Sequence, residues 1–520
     1  MSPSLGHRAC LAGAIAGLAA ILVVQWHVER LGGVGPGRYR LLILVLAWQA
    51  LAMLAATLVR LARPRRAAAG LIVVSLLALP ALSLTRGSQI SDDLYRYAWD
   101  GRLQAAGVDP YRYAPDDPHL ARFRDAWLWP DTAVCARLHK VPITSDPAHA
   151  CTRINRPSVR TIYPPAAEAY FLGAHWLFGP SRDHKLQLDA AVLSAGLTGL
   201  LAFGLRRTGR DPFAAAYYSF GPLAGLDIAA DAHVDALAAV FGVSAILFAT
   251  LRPRAPARAG VALGLAIAVK LYPILLLPAL FRREVKRRGV FLLVASAAGV
   301  VAAGYLPHVI AVGGHVLGYL PGYLHEENYD SGVRFLLIGL LGLGDSATKL
   351  LAVALICAAF VVVAMRSARG RSTPAEGALA VLAVAFLVVT PSQPWYALLL
   401  VCVSVLTGRL EWIAVATAAY PLYVVALIHE NSLLAGRISY ASAATFALAV
   451  TAIRRLTAHR SKINVHISDI HLAASSELPD AEHDRPTQDD HVTSPEIRGV
   501  FDAQVVSADR TGSHGGHLGH

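Results

Sequence analysis

Charge is what this sequence has least of. Asp, Glu, Lys and Arg supply 16% of the 520 residues against 55% hydrophobic, and the mean hydropathy is +0.47. That balance excludes a soluble globular chain and leaves a polytopic membrane protein. Two other absences narrow the chemistry. No glycine string of the Walker or Rossmann kind stands beside a candidate strand, so no nucleotide cradle is legible. The formal net charge of +12 forms no continuous basic face. Arg and Lys fall in short clusters between apolar runs, which excludes a nucleic-acid partner and makes the basic residues markers of orientation.

Apolar runs recur at about 9–26, 40–59, 68–85, 186–205, 212–230, 234–251, 259–281, 289–307, 347–365, 374–390, 395–408, 411–428 and 438–454. Most approach the roughly 20 residues a bilayer requires, which predicts an all-α bundle of about 11–13 transmembrane helices. The first run has the length of a signal peptide, but no small-residue cleavage site leading into a soluble domain follows it, so it reads as a retained span. Basic clusters at 60–66, 206–210, 252–258, 281–288, 366–371 and 454–462 belong inside by the positive-inside rule. Both termini are then cytoplasmic, in an inner membrane, and 86–185, 227–235, 306–333, 391–395 and 429–437 face out. Four parts result: three helices in 1–85; an external loop, 86–185, with an interfacial or re-entrant segment at 163–179; a bundle, 186–456, with an external loop at 306–333; and a cytoplasmic tail, 457–520.

From about 463 the tail is polar, rich in Asp, His, Ser and Gly, and reads as disordered. Its string "NVHISDIHLA" (464–473) looks like the opening strand of a calcineurin-like metallophosphoesterase, with Asp469 and His471 as ligands. Fewer than 50 residues follow it and none forms the Gly-Asn-His-Asp string, so no catalysis is expected there. Within the bundle, run 259–281 is broken by "KLYP" (270–273) and flanked by basic clusters. Two halves of about 12 residues, roughly 18 Å each, fit a re-entrant hairpin, with a tilted single span as the alternative.

The chemistry should lie in the outward segments. In "SQISDDLYRYAWDGRLQAAGVDPYRYAP" (88–115), Asp92 and Asp93 stand where the third run leaves the membrane. Ser-Asp-Asp before a periodic segment is a common helix start, and neighbours point about 100° apart, so one carboxylate caps while the other projects into a cavity. Tyr95, Tyr97, Trp99, Tyr111 and Tyr113 offer stacking faces or an interfacial belt; Arg96, Arg102 and Arg112 offer planar donors suited to phosphate. "GLDIAADAHVDALAAV" (225–240) spaces Asp227, Asp231 and Asp235 four apart, on one face of a continuous helix, with His233 among them. Such a row cannot face lipid; it is either a polar wall for a sugar or cation or a set of caps and structural pairs. Cys135 and Cys151 share the first external loop and can form a disulfide, which would contribute roughly 3 kcal/mol, or stay as two thiols.

Taken together, residues 92–115, "TIYPPAAE" (161–168), "AHVDALAAV" (232–240), "GLAIAVKLYPILLLPAL" (264–280) and "PSQPWYALLL" (391–400) resemble the successive landmarks of bacterial C-type (GT-C) glycosyltransferases. The nearest groups are polyprenyl-phosphate-sugar-dependent mannosyltransferases related to the first mannosyltransferase of glycosylphosphatidylinositol synthesis, and the similarity spans about residues 70–455. The resemblance implies a GT-C bundle of the cell envelope, an Asp base in the first external loop, a polyprenyl-phosphate-linked sugar donor, with mannose as the sugar the family favours, and a lipid or glycan acceptor. The catalytic candidates are Asp93 and Asp92; the substrate-binding candidates are Arg96, Tyr97, Asp100, Arg102, Tyr111, Tyr163, His233, Asp235 and Lys270. Asp92 and Asp93 are adjacent, unlike the carboxylates of Asp-x-Asp relatives, which leaves open the choice of base and whether the two hold a divalent cation, Mg or Mn.

In "YLHEENYDSGVRFLL" (323–337) the following apolar stretch of about ten residues is too short to cross a bilayer and should dip in and return. That brings Arg334 to the interface, either to hold the donor phosphate or to pair with Glu327 or Asp330. A rival class is a proton- or cation-coupled transporter or lipid flippase using the intramembrane carboxylates. Against it stand a first external loop larger than transport needs and no pair of corresponding halves with matched broken helices. A scaffolding role would leave the acidic row unexplained.

Overall fold

The computed structural model describes residues 5–31, 38–138, 151–178, 183–428 and 431–476, and among these the chain is helical with no strand. It divides into a compact unit, Met1–Arg455, which carries all the candidate site residues, and a second unit, Leu456–His520, helical as far as Ser476. Eight helical stretches among the described residues are long and apolar enough to cross a membrane, and four apolar helices are shorter. This is a polytopic all-α membrane protein.

Helices α1 (Leu5–Leu31) and α2 (Arg38–Leu61) pack together through small residues, with Gly17 against Ala55; small side chains let two backbones approach where no hydrophobic force drives association. Helix α3 (Arg65–Ser83) leads to α4 (Asp93–Ala105) and α5 (Thr132–Leu138) in the first loop, then α6 (Pro165–Phe178), which opens on a proline suited to a first turn. A disulfide joins Cys135 to Cys151. The bundle continues through α7 (Asp183–Arg207), α8 (Ala216–Ser219), α9 (Asp235–Leu251), α10 (Pro256–Val269), α11 (Arg287–Val312), α12 (Leu320–Glu326), α13 (Asp345–Ala368), α14 (Pro374–Val389), α15 (Leu398–Thr407), α16 (Ile413–Thr417), α17 (Ala419–Leu427) and α18 (Ser432–Ser476).

Three local expectations change. The acidic row does not lie on one continuous α-helix: Leu223–Ala230 is a π-helical stretch, and the chain then turns through Ala232, at φ +55°, before α9 starts at Asp235. The run at 259–281 breaks where "KLYP" suggested, with Lys270 extended between α10 and a 3-10 segment, Tyr272–Leu280. Finally, helix persists to Ser476, past the point where the tail's composition suggested disorder; after Gly436 no glycine or proline interrupts the chain until Pro479. The metallophosphoesterase-like string is therefore helix, not strand.

Candidate active site

Helix α4 organises the site. Ser91 Oγ accepts from the Asp93 backbone N–H at 3.3 Å, and Asp92 occupies the N-cap without a side-chain capping bond. Asp93, Arg96, Tyr97 and Asp100 recur at intervals of three and four and share a face. Gly101 lets α6 come close, because a Cβ there would meet the Phe171 carbonyl. The segment entering α4 is also anchored: Asp231 accepts from the backbone N–H of Gln89 at 2.5 Å and of Ile90 at 3.3 Å, and Tyr423 donates to the Ile90 carbonyl at 2.6 Å.

That face borders a cavity of about 500 Å³. Asp93 is the one carboxylate among the described residues lining it. Its Oδ1 accepts from Asn155 Nδ2 at 2.6 Å and its Oδ2 from the Tyr163 hydroxyl at 3.1 Å, with His233 Nδ1 3.6 Å away. The side chain is 18% exposed, so it is held yet reachable. His233, fully buried, stacks on Trp395 with ring centres 3.8 Å apart.

Four cations line the same cavity, and they differ in what neutralises them. Arg96 is forked by Asp100 at 3.0 and 3.1 Å. Lys270 pairs with Asp235 at 3.3 Å and lies over the rings of Tyr163 and Tyr396, 5.3 and 5.0 Å from their centres. Arg156 forks onto Glu326 of α12, with Nε 2.9 Å from Oε2. Arg160 donates from Nε to the Arg112 carbonyl at 3.1 Å and forms no ion pair with a carboxylate among the described residues. Apolar side chains also line the cavity: Leu271, Ile274 and Leu275 after the Lys270 break and Phe386 and Val389 of α14. Such a chamber suits an anion attached to a long apolar chain.

Of the residues singled out in the sequence, Asp93, Arg96, Tyr163 and Lys270 line this cavity, and Asp92, Tyr97, Asp100, Arg102, Tyr111, His233, Asp235 and Arg334 do not. Tyr97 is buried in a stack on Phe171, and Tyr111 donates to the Tyr163 carbonyl at 2.6 Å. Arg102 pairs with Asp125 at 2.6 Å. Arg334 lies behind the wall, 3.1 Å from Glu327 and 3.0 Å from Ser392 Oγ. Each has a partner within the protein, the ordinary state of buried polar groups, although Arg334 Nε has no acceptor among the described residues. The acidic row is dispersed likewise: Tyr420 donates to Asp227, Asp231 takes backbone N–H groups, and Asp235 takes Lys270. Asn155, Arg156 and Arg160 went unnoticed in the sequence; "RINRPSVR" (153–160) carries three arginines directly before the "TIYPP" landmark, and that density was the available signal.

Among the described residues no group of three or more His, Cys, Asp or Glu side chains is placed to hold a metal ion. Asp93 accepts one hydrogen bond on each oxygen, from Asn155 and from Tyr163.

Among the described residues the chamber thus sets a single carboxylate beside four cations. Residues 161–391 match the family model of glycosyltransferase family 87, in keeping with a membrane glycosyltransferase of the C type. No curated protein and no solved structure matches the chain. The matched segment includes Tyr163 and Lys270; Asp93, Arg96, Arg156 and Arg160 precede it and Trp395 follows it. The match supports membrane glycosyltransferase activity, and with it a sugar donor and an acceptor.

Proposed function

We propose that the chain transfers a sugar, mannose by family resemblance, from a polyprenyl-phosphate donor to a lipid or glycan acceptor on the outer face of the inner membrane, with inversion at the anomeric carbon. The observation that carries this reading is Asp93, the one carboxylate among the described residues in a chamber also lined by four cations and by apolar side chains. Asp93 takes the proton from the acceptor hydroxyl as its oxygen attacks C1; the bond from C1 to the phosphate oxygen breaks, and polyprenyl phosphate leaves with the bonding pair. Asn155 and Tyr163 orient the carboxylate. The phosphate charge is met chiefly by Arg160, the lining cation without a carboxylate partner among the described residues, aided by Arg96. The prenyl chain lies along the apolar wall. A phosphate leaving group is stable enough to need no strong general acid.

Purified protein incubated with radiolabelled polyprenyl-phosphate mannose and a membrane-lipid extract as acceptor should move label from the lipid donor to a new product, and Asp93→Asn should stop it. A wild-type enzyme that leaves this donor intact while consuming the glucose analogue would replace mannose as the sugar. Turnover of neither would overturn the lipid-phosphate donor.

A further inference from the structure

Behind the cavity, the polar face of α4 continues into an enclosed set of charges. Asp100 is 1% exposed, Arg96 4%, Thr161 1% and Glu168 of α6 0%. The Thr161 hydroxyl donates to Glu168 Oε1 at 2.7 Å and Gln104 Nε2 donates to Oε2 at 2.9 Å. One guanidinium and two carboxylates are therefore shut away together. Both carboxylates ionised would leave a negative charge uncompensated in a low dielectric, a situation proteins resolve by neutralising one group. The nearby Asp109 offers no relief, being a further acid paired with His308 at 2.7 Å. Burial raises the pKa of Asp100, while Arg96 pulls it back. Burial, and then the charge of Asp100, pushes Glu168 well above the usual carboxylate range. Both shifts favour a proton held within the pair, and the guanidinium of Arg96 lies against Asp100.

Two of the three guanidinium nitrogens of Arg96 are held. Nε is forked by Asp100, Nη1 donates to the Val159 carbonyl at 3.1 Å, and Nη2 has no acceptor among the described residues. Arg96 lines the cavity, and Nη2, although covered, is its one guanidinium nitrogen with no acceptor among the described residues. We propose that Glu168 carries a proton in the working enzyme and, with Asp100, forms a positioning unit that fixes Arg96 so that Nη2 donates to the anionic group of the bound donor. Asp100 and Glu168 act through Arg96 and touch no substrate. The part concerning the donor rests on the function proposed above; the part concerning the proton does not.

The test uses the full chain in lipid nanodiscs as wild type, Glu168→Gln, Glu168→Ala and Asp100→Asn. The infrared difference spectrum of wild type against Glu168→Gln at pH 7, recorded without substrate, should contain the carbonyl stretch of a protonated carboxylic acid; a spectrum with carboxylate bands alone would overturn the protonated state. In turnover, Glu168→Ala and Asp100→Asn should each raise the donor KM by about tenfold or more with a smaller change in kcat, as expected for loss of one oriented charge-assisted contact. Glu168→Gln, which keeps the shape and the neutral charge, should recover most of the loss seen in Glu168→Ala. Equal damage from Gln and Ala, or a fall in kcat with an unchanged KM in Asp100→Asn, would overturn the positioning role.

Discussion

At the scale of single residues, Asp92 and Asp93 are chemically alike and separated by surroundings. Asp93 lines the cavity and is oriented by Asn155 and Tyr163, whereas Asp92 sits at the start of α4 outside the lining. Asp93→Asn keeps the shape and removes the base, so the rate of label transfer should fall by roughly 10²–10⁴-fold, the range for losing a general base; Asp92→Asn should cost far less. The reverse order in the same assay would transfer the role to Asp92. The arginines divide on the same principle. Arg160→Ala should raise the donor KM roughly 10–100-fold, while Arg334→Ala, which removes the partner of Glu327 behind the wall, should leave KM nearly unchanged and lower thermal stability. The carboxylate pair, Tyr163 and Lys270 were legible because each sits in a short run of unusual composition. Pairing was not: whether Arg102 meets phosphate or Asp125 depends on a residue 23 positions away, and nothing local in the sequence records that meeting.

At the scale of elements, the site depends on where helices stop and how closely they approach. Lys270 reaches the chamber because α10 ends at Val269 and the backbone is extended at the next residue, a break that "KLYP" made visible. The π-helical stretch before Asp231 was invisible to an argument from spacing, since a four-residue interval marks one face only while the helix stays regular; the widened turn sends the three acids to three partners. Gly101 gives a prediction at this scale. A glycine inside a helix ordinarily costs about 0.5–1 kcal/mol relative to alanine, so Gly101→Ala should stabilise if α4 stood alone. Here the new methyl would meet the Phe171 carbonyl, and the Phe171 carbonyl carbon lies 2.9 Å from its position. Backbone cannot swing aside as a side chain can, so the variant should melt at a lower temperature in detergent and lose activity as α4 shifts against α6. A melting temperature at or above wild type would show that the two helices have slack.

At the scale of the whole molecule, the deciding variable is the side of the membrane on which the cavity opens. A cytoplasmic site would have nucleotide sugars at hand, and an outward one would depend on a sugar carried through the membrane on lipid. The distribution of Arg and Lys carries the orientation, because clusters such as 60–66, 281–288 and 366–371 resist translocation, and the count of apolar runs made the all-α bundle legible from composition alone. The cavity itself was not legible at this scale, being formed where the first loop, the Lys270 break, α12 and the segment before α15 converge. Orientation can be measured directly. In a variant lacking the five native cysteines, single cysteines at Asp117 and at His325 should react in intact cells with a membrane-impermeant maleimide, and one at Val500 should react only after permeabilisation.

 The side chains at the two loop positions are 28% exposed for Asp117 and 82% for His325, so reagent access on the outer side is not limiting. Labelling of residue 500 alone in intact cells would invert the bundle, place Asp93 inside and remove the reason for a lipid-borne donor. Labelling of 117 and 325 alone leaves the chamber open to the compartment that nucleotide sugars do not enter, where a polyprenyl phosphate is the carrier that the apolar wall and the cations beside Asp93 would fit.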